Sequence, residues 1–534
     1  MIASILIYGN SPSSWLSAAI LKQLLGIEVH LLLPHKDLSD GQSDEQRARE
    51  NEWLKTPYFE TLSPRALTIL GLLGLQQSHW VKSCTVSPHL GSRLLNSFND
   101  HIHLQDTILP HSPIAPDING VGFQHYLSAL HNIDTLTSAQ HTRYEDYSLA
   151  CALLRRKAFA QPVSDPNSIF SSYDIGLSVE LCSFTRPIIG FARQLGVNLI
   201  PARKLHIETK EGSIQSIQTA AGKLSASLYI DMSEQQTLRG SLSPNNLSPH
   251  LTPKSAPSTT DTVSEYNKQE FTHGVQQVSQ KHTQYNTCLK FTAETNSKNL
   301  PYCDELRILN NGLLLSHSVA NDTYYQYFFD RGAQHLNTAL RDIKKETALN
   351  VANNYTVTNI PQNLSMPAWQ GNVIVMGDAQ PRSCLIGGNV LNHTIESLGH
   401  LIDLMPVDDN FSLNTQEYNR LHMAEQCHYF DFQHTYLMLN QLPSSNFYNI
   451  FGTLATASSA SLHRYTLFKQ SGFDAQFEND PFEAHQWQNL MLAMGVSVND
   501  IHPLVSPSNT SQFAKAKQQL VKIKQLVKMA AESR

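Results

Sequence analysis

The residues with the most specific chemistry in this chain stand in a turn. Gly9-Asn10-Ser11-Pro12-Ser13-Ser14 joins a short apolar run, Ile2 to Tyr8, to an amphipathic stretch, Ser13 to Leu25. These flanks read as a buried parallel strand and a helix, and the turn occupies the place where a nucleotide-binding βαβ unit carries G-x-G-x-x-G. Glycines serve there because the turn is tight, the backbone must approach a pyrophosphate, and the helix must pack closely on the strand. Only the first glycine is present. Ser11 and Ser14 put side chains at the second and third points, and the next strand, Glu28 to Leu33, runs into Pro34 instead of an acid that would hold a ribose hydroxyl. The element predicts a doubly wound α/β start with less room for a dinucleotide than usual.

Other constellations carry weaker chemistry. His422, His428 and His434 are spaced by six on a predicted helix, but six residues advance ~600°, so successive rings lie ~120° apart and cannot converge on one ion. They read as surface or capping histidines, and no metal site is expected. Cys384 reads as an isolated buried thiol rather than a redox centre. The run Tyr324 to Phe329 suits either an aromatic substrate platform or a core strand with rings on both faces. The lysines from Lys515 to Lys528 read as the solvated face of a terminal helix.

These residues need a sizeable scaffold, and 534 residues with 41% hydrophobic content supply one. Lys and Arg total 39 against 45 Asp and Glu, a balance that argues against nucleic acid as a partner. The cysteines at 84, 151, 182, 288, 303, 384 and 427 are scattered and never form C-x-x-C, which points to reduced thiols and a cytoplasmic protein. The first apolar run has no preceding Lys or Arg and reads as a strand, not a signal peptide. No stretch approaches the ~20 apolar residues of a membrane helix.

Along the chain, residues 38–52 and 240–268 read as loops. Leu177 to Leu195 reads as a helix running into a strand at Val197 to Ile200. Lys204 to Thr209, Ile214 to Thr219 and Leu228 to Asp231 read as strands, as do Asn286 to Thr292, Leu306 to His317 and Tyr324 to Phe329. Asn372 to Met376 is a buried strand ending in Gly377-Asp378, expected in the same sheet as Ile2 to Tyr8. Leu391 to Leu404, and everything from Thr415 onward, read as helix.

This order of elements resembles a two-domain FAD-dependent monooxygenase, and more closely the flavin-dependent tryptophan halogenase family. The markers are Trp15 after the turn, Glu60 to Pro64, Ala192 to Val197, Ile230 to Ser233, Trp369 to Asp378, Tyr418-Asn419-Arg420, Asp431-Phe432, and Phe482 to Trp487 leading to Val496. The resemblance implies an α/β fold: an FAD/NAD(P)-binding Rossmann-like parallel sheet, a second β-sheet substrate domain and a helical C-terminal part. The expected domains are 1–240 with 370–405, then 241–369, then 406–534. It also implies FAD held by Gly9, Ser11, Ser14, Trp15, Asp378, Gly387, Gly388 and Asn392. The expected partners are a separate flavin reductase, an aromatic small molecule and a second copy of the chain in a homodimer.

The family's transfer chemistry is altered. His89 stands at the position of the family's lysine, and imidazole does not supply the same ammonium at neutral pH. Leu385 to Asn389 matches the stretch that carries the family's glutamate, and no acid remains there. Leu313 to Ser318 matches the Trp-x-Trp-x-Ile-Pro motif, with leucines for both tryptophans. The sequence therefore predicts either a divergent flavin oxidoreductase or a non-catalytic relative acting as a binding or partner subunit.

Overall fold

The computed structural model describes residues 2–34, 58–75, 81–95, 107–137, 144–242, 285–292, 302–347, 355–360, 367–406, 412–439, 458–506 and 510–532, apart from a few isolated positions. Most of the expected loops at 38–52 and 240–268 lies outside these residues. The first unit is β1 (Ser4–Tyr8), α1 (Pro12–Leu25) and β2 (Glu28–Pro34). Then come β3 (Phe59–Leu62), α2 (Pro64–Leu72), β4 (Val86–His89), β5 (Gly91–Leu95), β6 (Thr107–Pro110), α3 (Phe123–Thr137), α4 (Leu149–Arg155), β7 (Gly176–Glu180), α5 (Leu181–Gln194) and β8 (Asn198–Ala202). Strands β9 (His206–Lys210), β10 (Ser213–Thr219), β11 (Gly222–Leu224) and β12 (Leu228–Asp231) lead to β13 (Thr287–Thr292), β14 (Cys303–Leu309), β15 (Gly312–Val319) and β16 (Asp322–Phe329). The remainder is α6 (Leu336–Thr347), β17 (Tyr355–Asn359), β18 (Trp369–Gln370), β19 (Val373–Val375), α7 (Val390–Asp403), α8 (Ser412–Leu439), α9 (Ser459–Ser471), α10 (Ala484–Ala493) and α11 (Thr510–Glu532).

The first sheet runs β18-β19-β12-β1-β2-β8 and is parallel from β19 to β8. Ile5, Leu6 and Ile7 are all fully buried, as expected of a central parallel strand covered on both faces. β1 and β19 share this sheet, as the sequence predicts. The helix α1 ends at Gly26, whose φ of 66° closes it in a left-handed cap.

The second sheet runs β17-β13-β16-β15-β14-β5-β6 and is antiparallel except at β14–β5. It draws β5 and β6 from before residue 240. Leu306 to His317, expected as one strand, is instead a hairpin in which Leu309 pairs with Gly312. A further three-stranded sheet, β3-β7-β4, corrects the reading of Leu177 to Leu195 as helix throughout. Leu177 and Val179 lie in strand β7, and the Glu180 carboxylate then starts α5 by accepting from the amides of Cys182 and Ser183.

The C-terminal part is not helical throughout. Between α9 and α10 the chain runs without a helix from Gly472, at φ 75°, to Glu483. Buried Arg464 anchors this loop, pairing with Asp474 at 2.6 Å and with Asp480, and lying 4.1 Å over the Trp487 ring. One hydrophobic cluster joins α1, α5 and α7 to the first sheet. Another joins the second sheet to Phe432, Phe482 and Trp487.

Candidate functional site

The turn after β1 closes on itself. The Ser14 amide donates to Ser11 Oγ at 3.3 Å, the Ser11 amide reaches Ser14 Oγ at 3.4 Å, and the two hydroxyls are 3.0 Å apart. This is a capping box, and it takes up an amide that a phosphate would otherwise use. A Cβ on Gly9 would stand 2.4 Å from Ser14 Oγ, so glycine is required there. Trp15 is buried in the core beneath the turn, its indole N–H donating to Asn10 Oδ1 at 3.2 Å.

Asp378 meets this turn at the end of β19. Burial pushes its carboxyl up to about 6, against a smaller lowering by the Ser11 hydroxyl, and Oδ2 is buried with no hydrogen-bond partner. Gly387, at φ 79°, packs where a Cβ would be 3.2 Å from the Phe482 ring. Gly388 packs more tightly still, since a Cβ there would be 2.6 Å from Cys384 Cβ. Asn392 is spent on the fold: its amide nitrogen donates to the Thr61 and Gly387 carbonyls at 3.1 and 2.5 Å, and its oxygen accepts from the Ser63 amide at 3.2 Å. The first amides of α7 are likewise occupied, by Asn389 Oδ1 and by the buried Glu60 carboxylate.

A pocket of about 550 Å³ has Gly387 in its wall. Its walls include Thr61, Arg65, His89, His111, Asp304, Gly387, Tyr429, Phe432, Phe482 and His485. The sheet β3-β7-β4 presents His89, which is buried, with Nδ1 2.7 Å from His111 Nε2. The Asp304 amide donates to His89 Nε2 at 3.2 Å. Asp304 Oδ2 accepts from the Thr61 hydroxyl at 2.8 Å, and Oδ1 lies 2.6 Å from His317 Nδ1. Arg382 fixes the far end: it donates to Gln326 Oε1 at 2.8 Å, so Gln326 Nε2 faces His317 Nε2 at 3.2 Å as a donor. His317 thus gives its Nδ1 proton to Asp304. Burial alone would raise the Asp304 carboxyl, but His317 and His89 hold it well below the usual range. Burial and then the neighbouring His89 hold His111 well below the usual imidazole range, so it is neutral at pH 7. Opposite His89 in the sheet, a Cβ on Gly176 would stand 2.5 Å from the Leu62 carbonyl and 3.1 Å from His111 Nε2, so glycine leaves room for that ring.

Ser11 and Asp378 are thus brought together, and Gly387 and His89 share the pocket, while Trp15, Gly388 and Asn392 serve packing and hydrogen bonding within the fold. Leu313 and Leu315 are core residues. His111, Asp304, His317 and His485 were not singled out from sequence. Two successive acids, Asp304-Glu305, in the largely buried strand Cys303–Leu309 are the one signal available.

The histidines of α8 differ from expectation. His422 and His428 are buried, because α8 is enclosed by α7, α9 and α10 rather than lying on the surface. Burial pushes His422 down to about 4. Among the described residues no group of three His, Cys, Asp or Glu side chains is arranged to hold a metal ion. Cys384 is fully buried, its thiol donating to the Ile386 carbonyl at 2.8 Å and pushed by burial up to about 12. Tyr325, Tyr327 and Phe329 belong to a core cluster, which decides for the core-strand reading of that run. No described helix is long and apolar enough to cross a membrane.

A parallel sheet with a nucleotide-type turn, a second large sheet and a helical C-terminal part define a mixed α/β protein of the flavin-halogenase fold. The chain covers 100% of itself and 97% of a flavin-dependent halogenase from Brevundimonas sp. BAL3 at 15% identity and a TM-score of 0.76. A flavin-dependent halogenase from Xanthomonas campestris is similar over 100% of this chain and 96% of its own, at 17% identity and a TM-score of 0.73. A tryptophan 6-halogenase from Streptomyces toxytricini is similar over 99% and 97%, at 12% identity and a TM-score of 0.71. The chain belongs to the tryptophan halogenase family, whose sequence pattern matches residues 59–251 and 315–510. No curated protein matches it.

Proposed function

We propose that this chain is a flavin-dependent oxidoreductase of the halogenase type in which imidazoles stand in place of the transferring lysine. The observation that carries this reading is Gly387, which lies in the wall of an aromatic-lined pocket and in the same segment as Asp378. The residues fit FAD at the ribityl side, where the unpartnered Asp378 Oδ2 needs a donor such as a hydroxyl. At the turn they fit it only if Ser11 releases the Ser14 amide. Reduced flavin, delivered by a separate reductase, would supply the electrons for oxygen activation. Gly9, Ser11 and Asp378 would hold the group, Tyr429, Phe432 and Phe482 would pack an aromatic substrate, and His89 and His111 would face its reacting edge.

A second reading, a binding or partner subunit without catalysis, is favoured by one observation, the Ser11–Ser14 capping box in the phosphate position. A titration with FAD followed by flavin fluorescence separates the two. Saturable binding, weakened by Asp378→Ala, supports the oxidoreductase; no binding at several hundred micromolar FAD leaves the second reading.

A further inference from the structure

The loop that carries Phe482 is held from behind at three consecutive residues. The Glu478 carbonyl accepts from His428 Nε2 at 3.3 Å, and the Asp480 carbonyl accepts from Arg65 Nη1 at 2.8 Å. Between them Asn479, in the left-handed region at φ 57°, spends its side chain on two contacts: Nδ2 donates to the Leu421 carbonyl at 2.9 Å and lies 3.2 Å from His400 Nε2. Pro481, Phe482 and Glu483 follow at once and line the pocket, with the Phe482 ring stacked on Phe432 at 3.8 Å. The Leu421 carbonyl can only accept, so it fixes the Asn479 amide with its nitrogen inward. His400 Nε2 must then be a lone pair to hold Asn479. The same nitrogen lies 3.6 Å from Glu425 Oε2, which is buried without a hydrogen-bond partner. Toward that oxygen it serves only as a donor, so it can satisfy one neighbour or the other.

We infer that His400 is a proton-operated latch on the pocket: with Nε2 unprotonated it holds Asn479 and keeps the Phe482 wall in place, and with Nε2 protonated it turns to Glu425 and lets residues 478–483 loosen. The inference does not depend on what the pocket binds. The charges packed around His400 favour the exchange. Arg65, from α2, is taken by Glu396 of α7 at 2.8 and 3.3 Å. Within hydrogen-bonding reach, Glu425 of α8 meets only imidazoles among the described residues, His393 of α7 at 3.1 Å and His400, with His422 kept neutral by burial close by. A buried carboxylate so placed is stabilised when a neighbouring ring takes a proton. On the loop itself, Asp474 and Asp480 are held by Arg464 and Glu478 by Arg420. Burial by itself would lower the His400 pKa, but Glu425 and then Glu396 raise it above the ordinary 6.5, against a smaller opposing effect of Arg65. His400 therefore changes charge near neutral pH, and the latch is closed on the alkaline side and opens as pH falls.

Hydrogen–deuterium exchange of the full-length protein tests it, read by mass spectrometry at pH 8 and pH 6 and corrected for the intrinsic pH dependence of amide exchange. In the wild type, protection of residues 478–483 is expected to fall about fivefold from pH 8 to pH 6, the scale of one hydrogen bond lost, while α10 keeps its protection. In His400→Gln the side-chain oxygen accepts from Asn479 and binds no proton, so protection stays at the wild-type pH 8 level at both values. In Asn479→Ala the latch has nothing to hold, and protection is low at both. Three results would each overturn the inference: wild-type protection that does not change with pH, a fall of full size that persists in His400→Gln, or an Asn479→Ala loop as protected at pH 8 as that of the wild type. The second would assign the pH response to another group, such as Asp474.

Discussion

His317 Nδ1 donates to Asp304 Oδ1 at 2.6 Å, and both side chains are buried. The second carboxylate oxygen takes the Thr61 hydroxyl, so three strands, β3, β14 and β15, are tied at one carboxylate beneath the pocket. Because its folded pKa lies well below the ordinary value near 3.8, Asp304 contributes stability that is present above that value and lost as pH falls through the folded one. Asp304→Asn is expected to lower stability at pH 7 by about 1–3 kcal/mol. In urea unfolding at a series of pH values the gap should narrow below about pH 4. Equal midpoints at pH 7 would refute the role assigned to the carboxylate.

Asp378 behaves in the opposite sense. Its folded pKa of about 6 lies above the unfolded value, so its contribution is fully present below about pH 4 and is lost as pH rises through 6. Removing the charge with Asp378→Asn is expected to stabilise the ligand-free protein by about 3 kcal/mol at pH 8, with no effect at pH 3.5. The same variant should bind FAD more weakly. A thermal melt of the variant at pH 8 no higher than that of the wild type would remove the case for a strained carboxylate awaiting a donor.

Any FAD held by the wild-type turn is expected to be weak, roughly micromolar or poorer, because a phosphate must displace the Ser11 hydroxyl from the Ser14 amide at about 1–3 kcal/mol. Ser11→Gly combined with Ser14→Gly should tighten FAD binding by about tenfold while lowering the stability of α1 by a few tenths of a kcal/mol, the usual loss for glycine at a cap. Purification of the wild type with tightly held stoichiometric FAD would show that the capping box opens at little cost.

Free tryptophan is not expected to be halogenated, with chloride or bromide and any reductase. Positioned acid–base groups supply ~10²–10⁴ in rate each, and the proposed function places His89 and Gly387 where the family's lysine and glutamate would stand. A reductase-coupled assay read by mass spectrometry decides it. Halogenated tryptophan at several turnovers per protein, abolished by His89→Ala, would mean that the imidazole has taken over the lysine's work.

The sequence by itself determined the parallel sheet, because runs such as Ile5-Leu6-Ile7 and Val373-Ile374-Val375 are apolar on both faces and have no other stable place. It also determined the family, through markers that are local in the chain. It misread Leu177 to Glu180 as helix, since a short apolar run carries no period long enough to separate helix from strand, and pairing with β3 and β4 decided the matter. It read the α8 histidines as surface or capping residues because spacing reports only direction around a helix, whereas the burial of His422 and His428 depends on α7, α9 and α10 packing around it. Only the tertiary structure joined His89, His111, Asp304, His317 and His485. These residues come from segments up to several hundred positions apart, brought to one place by sheet pairing and helix docking. That information is a relation between distant atoms, and no stretch of sequence holds it.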